Sequence, residues 1–145
     1  MARPAPWRLD PVAYPHTQAI QTRFQDMDVL GHLNNVAFAA LFETGRTKFN
    51  QQAELWGRRF AGRRAVVAQM EINYLAEGNY PDDVEIATGI GDIGGRSWGI
   101  LAAMFQGGRP IATCDVVIVM DKDETGVGLP DGFRARLAEF RVRKP

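Results

Sequence analysis

Arg23-Phe-Gln-Asp26-Met-Asp28-Val-Leu-Gly31-His32-Leu-Asn34-Asn35 decides the fold, because this polar loop runs directly into a long amphipathic segment. Asn34 and Asn35 stand where a helix should begin, since a short polar side chain can accept from the free N–H groups of a first turn. Apolar residues then recur at three- and four-residue spacing, which predicts a helix of roughly twenty residues that stops near Gly57. They are Phe38, Leu41, Phe42, Gly45, Phe49, Ala53 and Trp56.

Two carboxylates, Asp26 and Asp28, precede this helix start. The N-terminus of a helix has positive potential and free N–H donors that can hold an oxyanion. Beside it, Asp28 could activate water or attack an electrophile directly. For an isolated aspartate, a loop or capping role would be the simpler interpretation. We interpret Asp26 as structural, fixing the loop through backbone hydrogen bonds or an ion pair with Arg23.

The rest of the chain predicts strands. Ala19–Phe24 is a fair first strand that ends at Phe24, and from Ala65 the apolar period changes to two. The strand faces that we expect to be apolar are Val66, Ala68, Met70, Ile72 and Tyr74; Val84, Ile86, Thr88 and Ile90; and Trp98, Ile100, Ala102 and Met104. A fifth strand, Ile111–Met120, is apolar on both sides in its second half, so it should be central or covered on both faces. Gly94-Gly95 and Gly107-Gly108 read as hairpin links, and Phe133, Leu137 and Phe140 as the face of a short final helix.

The order is therefore a strand, a long helix and four consecutive strands joined by short turns. This predicts an α+β domain in which a five-stranded antiparallel sheet curls over one long helix. The chain has 145 residues, the size of one domain. We expect residues 15–145 to form it and the proline-rich residues 1–14 to be a loosely held arm.

Composition excludes several functions. The formal net charge is zero and no basic stripe is present, so we expect no nucleic-acid partner. No apolar run is long enough to cross a membrane. The single Cys114 excludes an intrachain disulfide, fits a cytoplasmic setting and is expected in the core. With only His16 and His32, and no Gly-x-Ser-x-Gly motif, neither a metal site nor a serine hydrolase mechanism is supported.

The quoted stretch, followed by Phe42-Glu43-Thr-Gly-Arg46, resembles the signature of the hotdog-fold acyl-CoA thioesterases, within them the branch typified by 4-hydroxybenzoyl-CoA thioesterase. Glu71-Ile-Asn-Tyr74-Leu, Gly95-Arg96-Ser97 and the segment ending at Asp121 are similar to later parts of the same family. The resemblance implies the hotdog fold and hydrolysis of an acyl-CoA. It also implies homodimers joined edge to edge, often paired into homotetramers, with active sites at the dimer interface.

The resemblance assigns the catalytic carboxylate to Asp28 and the N–H that polarises the thioester carbonyl to Asn35, with no cofactor or metal. His32 could orient water or contact the thioester; a structural role through loop carbonyls is equally open. Many relatives have Tyr where this chain has Phe38, which bears on pocket polarity. We assign substrate binding to Gly31, Asn34, Phe38 and Arg96. Asn34 is more simply a helix cap, and Arg58, Arg59, Arg63 and Arg64 are further candidates for the CoA phosphates.

Alternatives remain open at this point. Glu43 is a rival carboxylate, because another hotdog branch carries its catalytic acid on the central helix; an ion pair with Arg46 is the simpler interpretation. A hotdog dehydratase or hydratase would pair His32 with a carboxylate such as Glu43. A non-catalytic acyl-CoA-binding module could use the same fold. The acyl group, and CoA against acyl carrier protein as its carrier, are left open.

Overall fold

A computed structural model describes residues 3–55, 63–122, 124 and 126–145. Trp56, Gly57, Arg58 and Arg59, each named above, lie outside these residues. The elements in chain order are β1 (His16–Ile20), α1 (Asn35–Gln52), β2 (Ala65–Tyr74), β3 (Val84–Ile93), β4 (Ser97–Gln106), β5 (Arg109–Met120) and α2 (Asp131–Glu139). In the part of the chain that the structure describes, no helix has the length and apolar character needed to cross a membrane.

The five strands form one antiparallel sheet in the order β1-β3-β4-β5-β2, which confirms the predicted fold class. Strands β3, β4 and β5 form a meander through the two predicted hairpin links. Gly107 and Gly108 both have positive φ, at 59° and 77°, which a tight two-residue link requires. Strand β5 is an interior strand, paired with β4 on one side and β2 on the other, whereas the middle strand of the sheet is β4. Strand β2 does not pair with β3; it crosses to the far edge of the sheet and pairs only with β5 among the described strands.

Helix α1 packs against β1, β3 and β4 and buries the face that its sequence predicts. Phe42 and Phe49 are 1% and 0% exposed, and they share one core cluster with the apolar faces of β3 and β4. Helix α2 extends this core: the Phe133 ring meets the Trp98 ring edge to face at 5.0 Å. The hydrophobic core therefore lies between one face of the sheet and the two helices.

The end of α1 differs from the prediction. The helix ends at Gln52, so Ala53 falls just outside it. Glu54 adopts a positive φ of 57°, and the Leu55 N–H donates to the Asn50 carbonyl at 2.8 Å. A left-handed residue followed by such a bond is a common helix stop. Glu54 therefore ends α1 three residues before Gly57, the predicted stop.

The predicted end of β1 at Phe24 is wrong, because the strand ends at Ile20 and Phe24–Asp26 forms a 3-10 turn. The cause lies in polar side chains. The Thr22 hydroxyl donates to the Asp82 carbonyl at 2.9 Å, and Asp26 accepts from the Arg23 backbone N–H at 2.8 Å. These bonds turn the chain away from the sheet and leave the Phe24 side chain 75% exposed.

The predicted face of β2 is also wrong at its start. The pairing with β5 shifts between Val67 and Gln69, so Ala68 forms a bulge that reverses the alternation. Val67 and Met70 pair with Ile118 and Val116, which are buried, whereas Val66 is displaced to the other face. The alternation of apolar residues placed Val66 and Met70 on the same face of β2, because a bulge cannot be recognised from a pattern of period two.

The segment before β1 makes defined contacts with the outer face of the sheet. Arg8 is 7% exposed, its guanidinium lies 2.6 Å from the Asp115 carboxylate, and it donates to the Tyr14 hydroxyl at 2.9 Å. Ala13 and Tyr14 are buried with Phe105 in a small second cluster. These contacts differ from the loosely held arm that the composition suggested.

Candidate active site

The loop before α1 is a compact turn built around Asp28. The Asp28 N–H donates to the His32 carbonyl at 2.9 Å, and the Gly31 N–H donates to the Asp28 carbonyl at 3.1 Å. Gly31 has a φ of 83°, a conformation that L side chains rarely adopt, so the glycine closes this turn. Gly31 therefore has a conformational role in the loop that carries Asp28.

The Asp28 carboxylate is held in place by the loop itself. Its Oδ1 accepts from the Leu30 N–H at 2.9 Å and lies 3.5 Å from the His32 N–H. The side chain is only partly buried, and Val29 and Leu30 beside it are exposed. The structure gives Asp28 a fixed carboxylate with a second oxygen that makes no hydrogen bond within the described residues.

Helix α1 begins as predicted. The Asn34 side chain is the N-cap, and its Oδ1 accepts from the Ala37 N–H at 2.7 Å. The Asn34 N–H in turn donates to the Asp26 carbonyl at 2.9 Å, which ties the cap to the loop. Asn35 is the first helical residue; its backbone N–H finds no acceptor in the described part of the chain. An amide that points out of a helix start is a donor for an anionic oxygen.

Asp26 has the structural role expected of it. It is 3% exposed, and its carboxylate bonds the Arg23 backbone and lies 2.9 Å from the Arg23 guanidinium. Both interactions proposed from the sequence are present together.

The His32 ring turns away from Asp28. Its Nε2 lies 2.8 Å from the Glu77 carboxylate, and its Nδ1 lies 3.4 Å from the Asn79 side-chain oxygen. Both ring nitrogens therefore meet the turn between β2 and β3. Gln106 fixes that turn by accepting from the Asn79 N–H and donating to the Asn79 carbonyl. The hydratase alternative offered Glu43 as the carboxylate partner of His32, and the observed partner is Glu77.

Phe38 lies on the first turns of α1 and is 3% exposed. Its ring meets the half-exposed Tyr74 edge to face at 5.2 Å. The Tyr74 hydroxyl donates to the Asn35 carbonyl at 3.3 Å, a long bond. A hydroxyl is thus present beside the helix start even though the helix itself carries Phe38.

Arg96 is not near Asp28 in one chain. It lies exposed in the β3–β4 hairpin, directly before Ser97, which pairs with Val119. Tyr74, beside the helix start, is level with Ala112 and Met104. From Ser97 to Met104 the sheet extends roughly 25 Å. Arg96 therefore lies at the opposite end of the sheet from the Asp28 loop.

Glu43 forms the expected pair with Arg46, at the outer limit of 3.9 Å. Both side chains line a cavity between α1 and β2. This rival carboxylate lies more than two turns along α1 from Asn35, so within one chain it is separated from the Asp28 loop.

The remaining candidates are Cys114 and any cluster of metal-ligating side chains. Cys114 is 1% exposed, as expected for a core residue, and burial raises the pKa of its thiol to about 11. Within residues 3–55, 63–122, 124 and 126–145, no group of three or more His, Cys, Asp and Glu side chains could hold a metal ion.

Sequence reasoning missed several neighbours of the loop. Glu77, Asn79 and Gln106 position His32 and the adjoining turn, and Tyr74 reaches the helix start. Their polar side chains are visible in the sequence. What the sequence does not show is that β2 ends beside the start of α1, which depends on the strand order.

Comparison with known proteins gives a consistent result. The sequence model of one family, described as the thioesterase-like superfamily, matches residues 22–137. A predicted thioesterase from Bacillus stearothermophilus is 31% identical, with a TM-score of 0.75 over 89% of this chain and 98% of that one. A thioesterase from Thermus thermophilus, solved with coenzyme A and zinc, is 27% identical, with a TM-score of 0.75 over 88% and 95%. A Pseudomonas aeruginosa protein is 26% identical, with a TM-score of 0.77 over 92% and 96%. No curated protein matches the chain in sequence.

Proposed function

The chain belongs to the thioesterase-like superfamily, and from that premise we propose that it hydrolyses an acyl-CoA thioester with Asp28 as the reacting carboxylate. One observation supports this most directly: the loop that fixes Asp28 leads into a helix whose first N–H, that of Asn35, is free among the described residues. Thioester hydrolysis needs a base or nucleophile and a donor for the developing oxyanion. In this proposal the loop supplies the base or nucleophile, Asp28, and the helix start supplies the donor, the Asn35 N–H.

In this mechanism the thioester carbonyl oxygen accepts from the Asn35 N–H at the positive end of α1. Asp28 then either deprotonates a water molecule that attacks the carbonyl carbon or attacks that carbon itself, forming an anhydride that water opens. The C–S bond breaks and CoA leaves as the thiol. Asn34 holds the first turn in place, and His32 stabilises the turn that faces the loop.

A second copy of the chain completes the proposed site. Strand β2 is an open edge with Val66, Val67, Met70 and Tyr74 at least 38% exposed, and an unpaired apolar edge is a template for pairing. If two β2 strands pair antiparallel about their midpoint, the Tyr74 end of one lies beside the Ala65 end of the other. The partner's Arg96 hairpin then approaches the Asp28 loop, so Arg96 could meet the CoA phosphates there. Sedimentation at micromolar concentration should give a dimer or tetramer; a monomer alone would contradict this arrangement.

The activity is tested by thiol release from a panel of aliphatic and aromatic acyl-CoAs. Asp28→Asn removes the charge and keeps the shape, because the amide oxygen can still accept from the Leu30 N–H. We expect turnover of at least one thioester and a loss of about a hundredfold or more in the variant. Glu43→Gln is the matched control and should retain activity.

Each other result selects an alternative. If Glu43→Gln is inactive and Asp28→Asn is active, Glu43 is the carboxylate and the assignment to Asp28 is wrong. If CoA thioesters bind to the native protein and none is cleaved, the chain is a binding module. A preference for thioesters of acyl carrier protein over those of CoA would change the proposed carrier and leave the mechanism in place.

A further inference from the structure

A cavity of about 310 Å³ lies between α1 and the start of β2. Its helix side consists of Glu43, Arg46, Thr47 and Asn50, and its sheet side includes Val67 and Ile118. Ligand pockets begin at about this volume, which is enough for a short acyl group. One wall is polar and the other apolar, so the cavity can distinguish the two ends of a ligand.

Arg46 and Asn50 are largely buried side chains whose donors open into this cavity. Each is 9% exposed. In the described part of the chain, the Arg46 guanidinium makes no hydrogen bond. Its ion pair with Glu43 is long, at 3.9 Å. The Asn50 side-chain amide has no hydrogen-bond partner among the same residues. The donor atoms of both side chains are not sealed in the core; they remain accessible from the cavity, where water can satisfy them. Two such groups on one cavity wall can donate to the acceptors of a ligand that displaces this water.

Glu43 does not satisfy Arg46. The two charged groups are 3.9 Å apart and the Glu43 side chain is 72% exposed, so solvent screens the pair and it contributes little. The cavity therefore keeps positive potential at Arg46. A planar guanidinium binds a carboxylate through two parallel hydrogen bonds, which makes a carboxylate the best match in both charge and shape.

The cavity also lies where the far end of an acyl group would be expected. Ala65, Val66 and Val67 at its rim form the first residues of β2. In the antiparallel β2 pair described above, this end lies beside Tyr74 and the helix start of the partner. An acyl group held at one subunit's Asp28 would thus extend toward the other subunit's Arg46.

Resting on the proposed function, we infer that this cavity binds the far end of the acyl group, with Arg46 and Asn50 holding a terminal carboxylate. The preferred substrates would then be CoA thioesters of short dicarboxylic acids. Val67 and Ile118 contact the methylene groups between the thioester and the carboxylate.

The test compares glutaryl-CoA with pentanoyl-CoA. Both acyl groups have the same length, and the chain ends in a carboxylate in glutaryl-CoA and in a methyl group in pentanoyl-CoA. We expect kcat/KM to favour glutaryl-CoA by about tenfold to a hundredfold in the native dimer, the range that charge-assisted hydrogen bonds supply. Arg46→Met should abolish this preference, because the carboxylate of glutaryl-CoA loses its partner. Lys48→Gln is the matched control, since it removes an exposed cation from the same helix outside the cavity.

Asn50→Leu provides a second variant in case Arg46→Met does not fold, and it should lower the preference severalfold. Hydrolysis of pentanoyl-CoA at or above the rate of glutaryl-CoA overturns the inference and leaves the thioesterase proposal standing. If neither thioester is cleaved, calorimetric titration with glutarate decides: binding to the native protein but not to Arg46→Met supports the site, and no binding to either overturns it.

Discussion

Replacement of Gly45 by alanine tests how closely α1 approaches the sheet. Gly45 lies in the middle of α1, where glycine is less favourable than alanine by about 1 kcal/mol. From propensity alone, Gly45→Ala should therefore stabilise the protein. A Cβ at this position, however, would lie 2.8 Å from Ile86 Cγ2 and 3.1 Å from Ile86 Cβ. Ile86 is 0% exposed within β3, so it has little room to move.

Overpacking of this kind costs about 1–3 kcal/mol. Set against the gain of about 1 kcal/mol from helix propensity, we expect Gly45→Ala to lower the free energy of unfolding by about 1 kcal/mol. Gly132 in α2 is the matched control, because a Cβ there meets nothing within 4 Å. Gly132→Ala should raise the free energy of unfolding by about 0.5 kcal/mol.

Urea unfolding followed by tryptophan fluorescence measures both variants, at one protein concentration because assembly shifts apparent stability. Combining Gly45→Ala with Ile86→Ala should be less destabilising than the sum of the two changes, since the second removes the contacted methyl groups. If Gly45→Ala stabilises the protein as much as Gly132→Ala does, the close approach of α1 to β3 is refuted.

Three further predictions concern single side chains. Asn34→Ala should lower stability by about 1 kcal/mol, because the Ala37 N–H loses its cap, whereas Asn34→Asp should not; urea unfolding of both variants checks this. Cys114 should resist a thiol reagent at about pH 8 in the native protein and react fully once unfolded, because burial raises its pKa to about 11; rapid native labelling would contradict this. Burial lowers the pKa of His16 below its ordinary 6.5, so the unfolded state takes up the proton first. Stability should therefore fall as the pH drops below about 6.5, and His16→Gln should weaken this fall; equal slopes in urea midpoints would refute it.

The sequence predicts most of the fold because local patterns and the final packing agree. The apolar alternation of β3 and β4, the glycine pair at Gly107 and the Asn34 cap each have a local physical cause, and each is found where expected. The errors arise where a distant contact decides. Thr22 bonds Asp82, sixty residues away, and the bulge at Ala68 is visible only against β5.

The candidate site is harder to predict than the fold, because strand order determines which residues meet. The sequence identifies the Asp28 loop and the free amide of Asn35 from one continuous stretch. It does not reveal that Arg96 lies at the far end of the sheet, since that follows from the position of β4 between β3 and β5. Nor does it distinguish Arg46, buried and without a hydrogen bond among the described residues, from the exposed cations around it.

The placement of β2 connects these observations. As the edge of the sheet it leaves Val66, Val67 and Met70 exposed, and an exposed apolar edge strand is suited to pairing with another strand. One end of the same strand borders the helix start through Tyr74, and the other end borders the Arg46 cavity. Antiparallel pairing of two such edges would cover the apolar residues and bring each cavity toward the partner's Asp28. The open edge of β2 would then also complete the site, so assembly and substrate selection would depend on one strand.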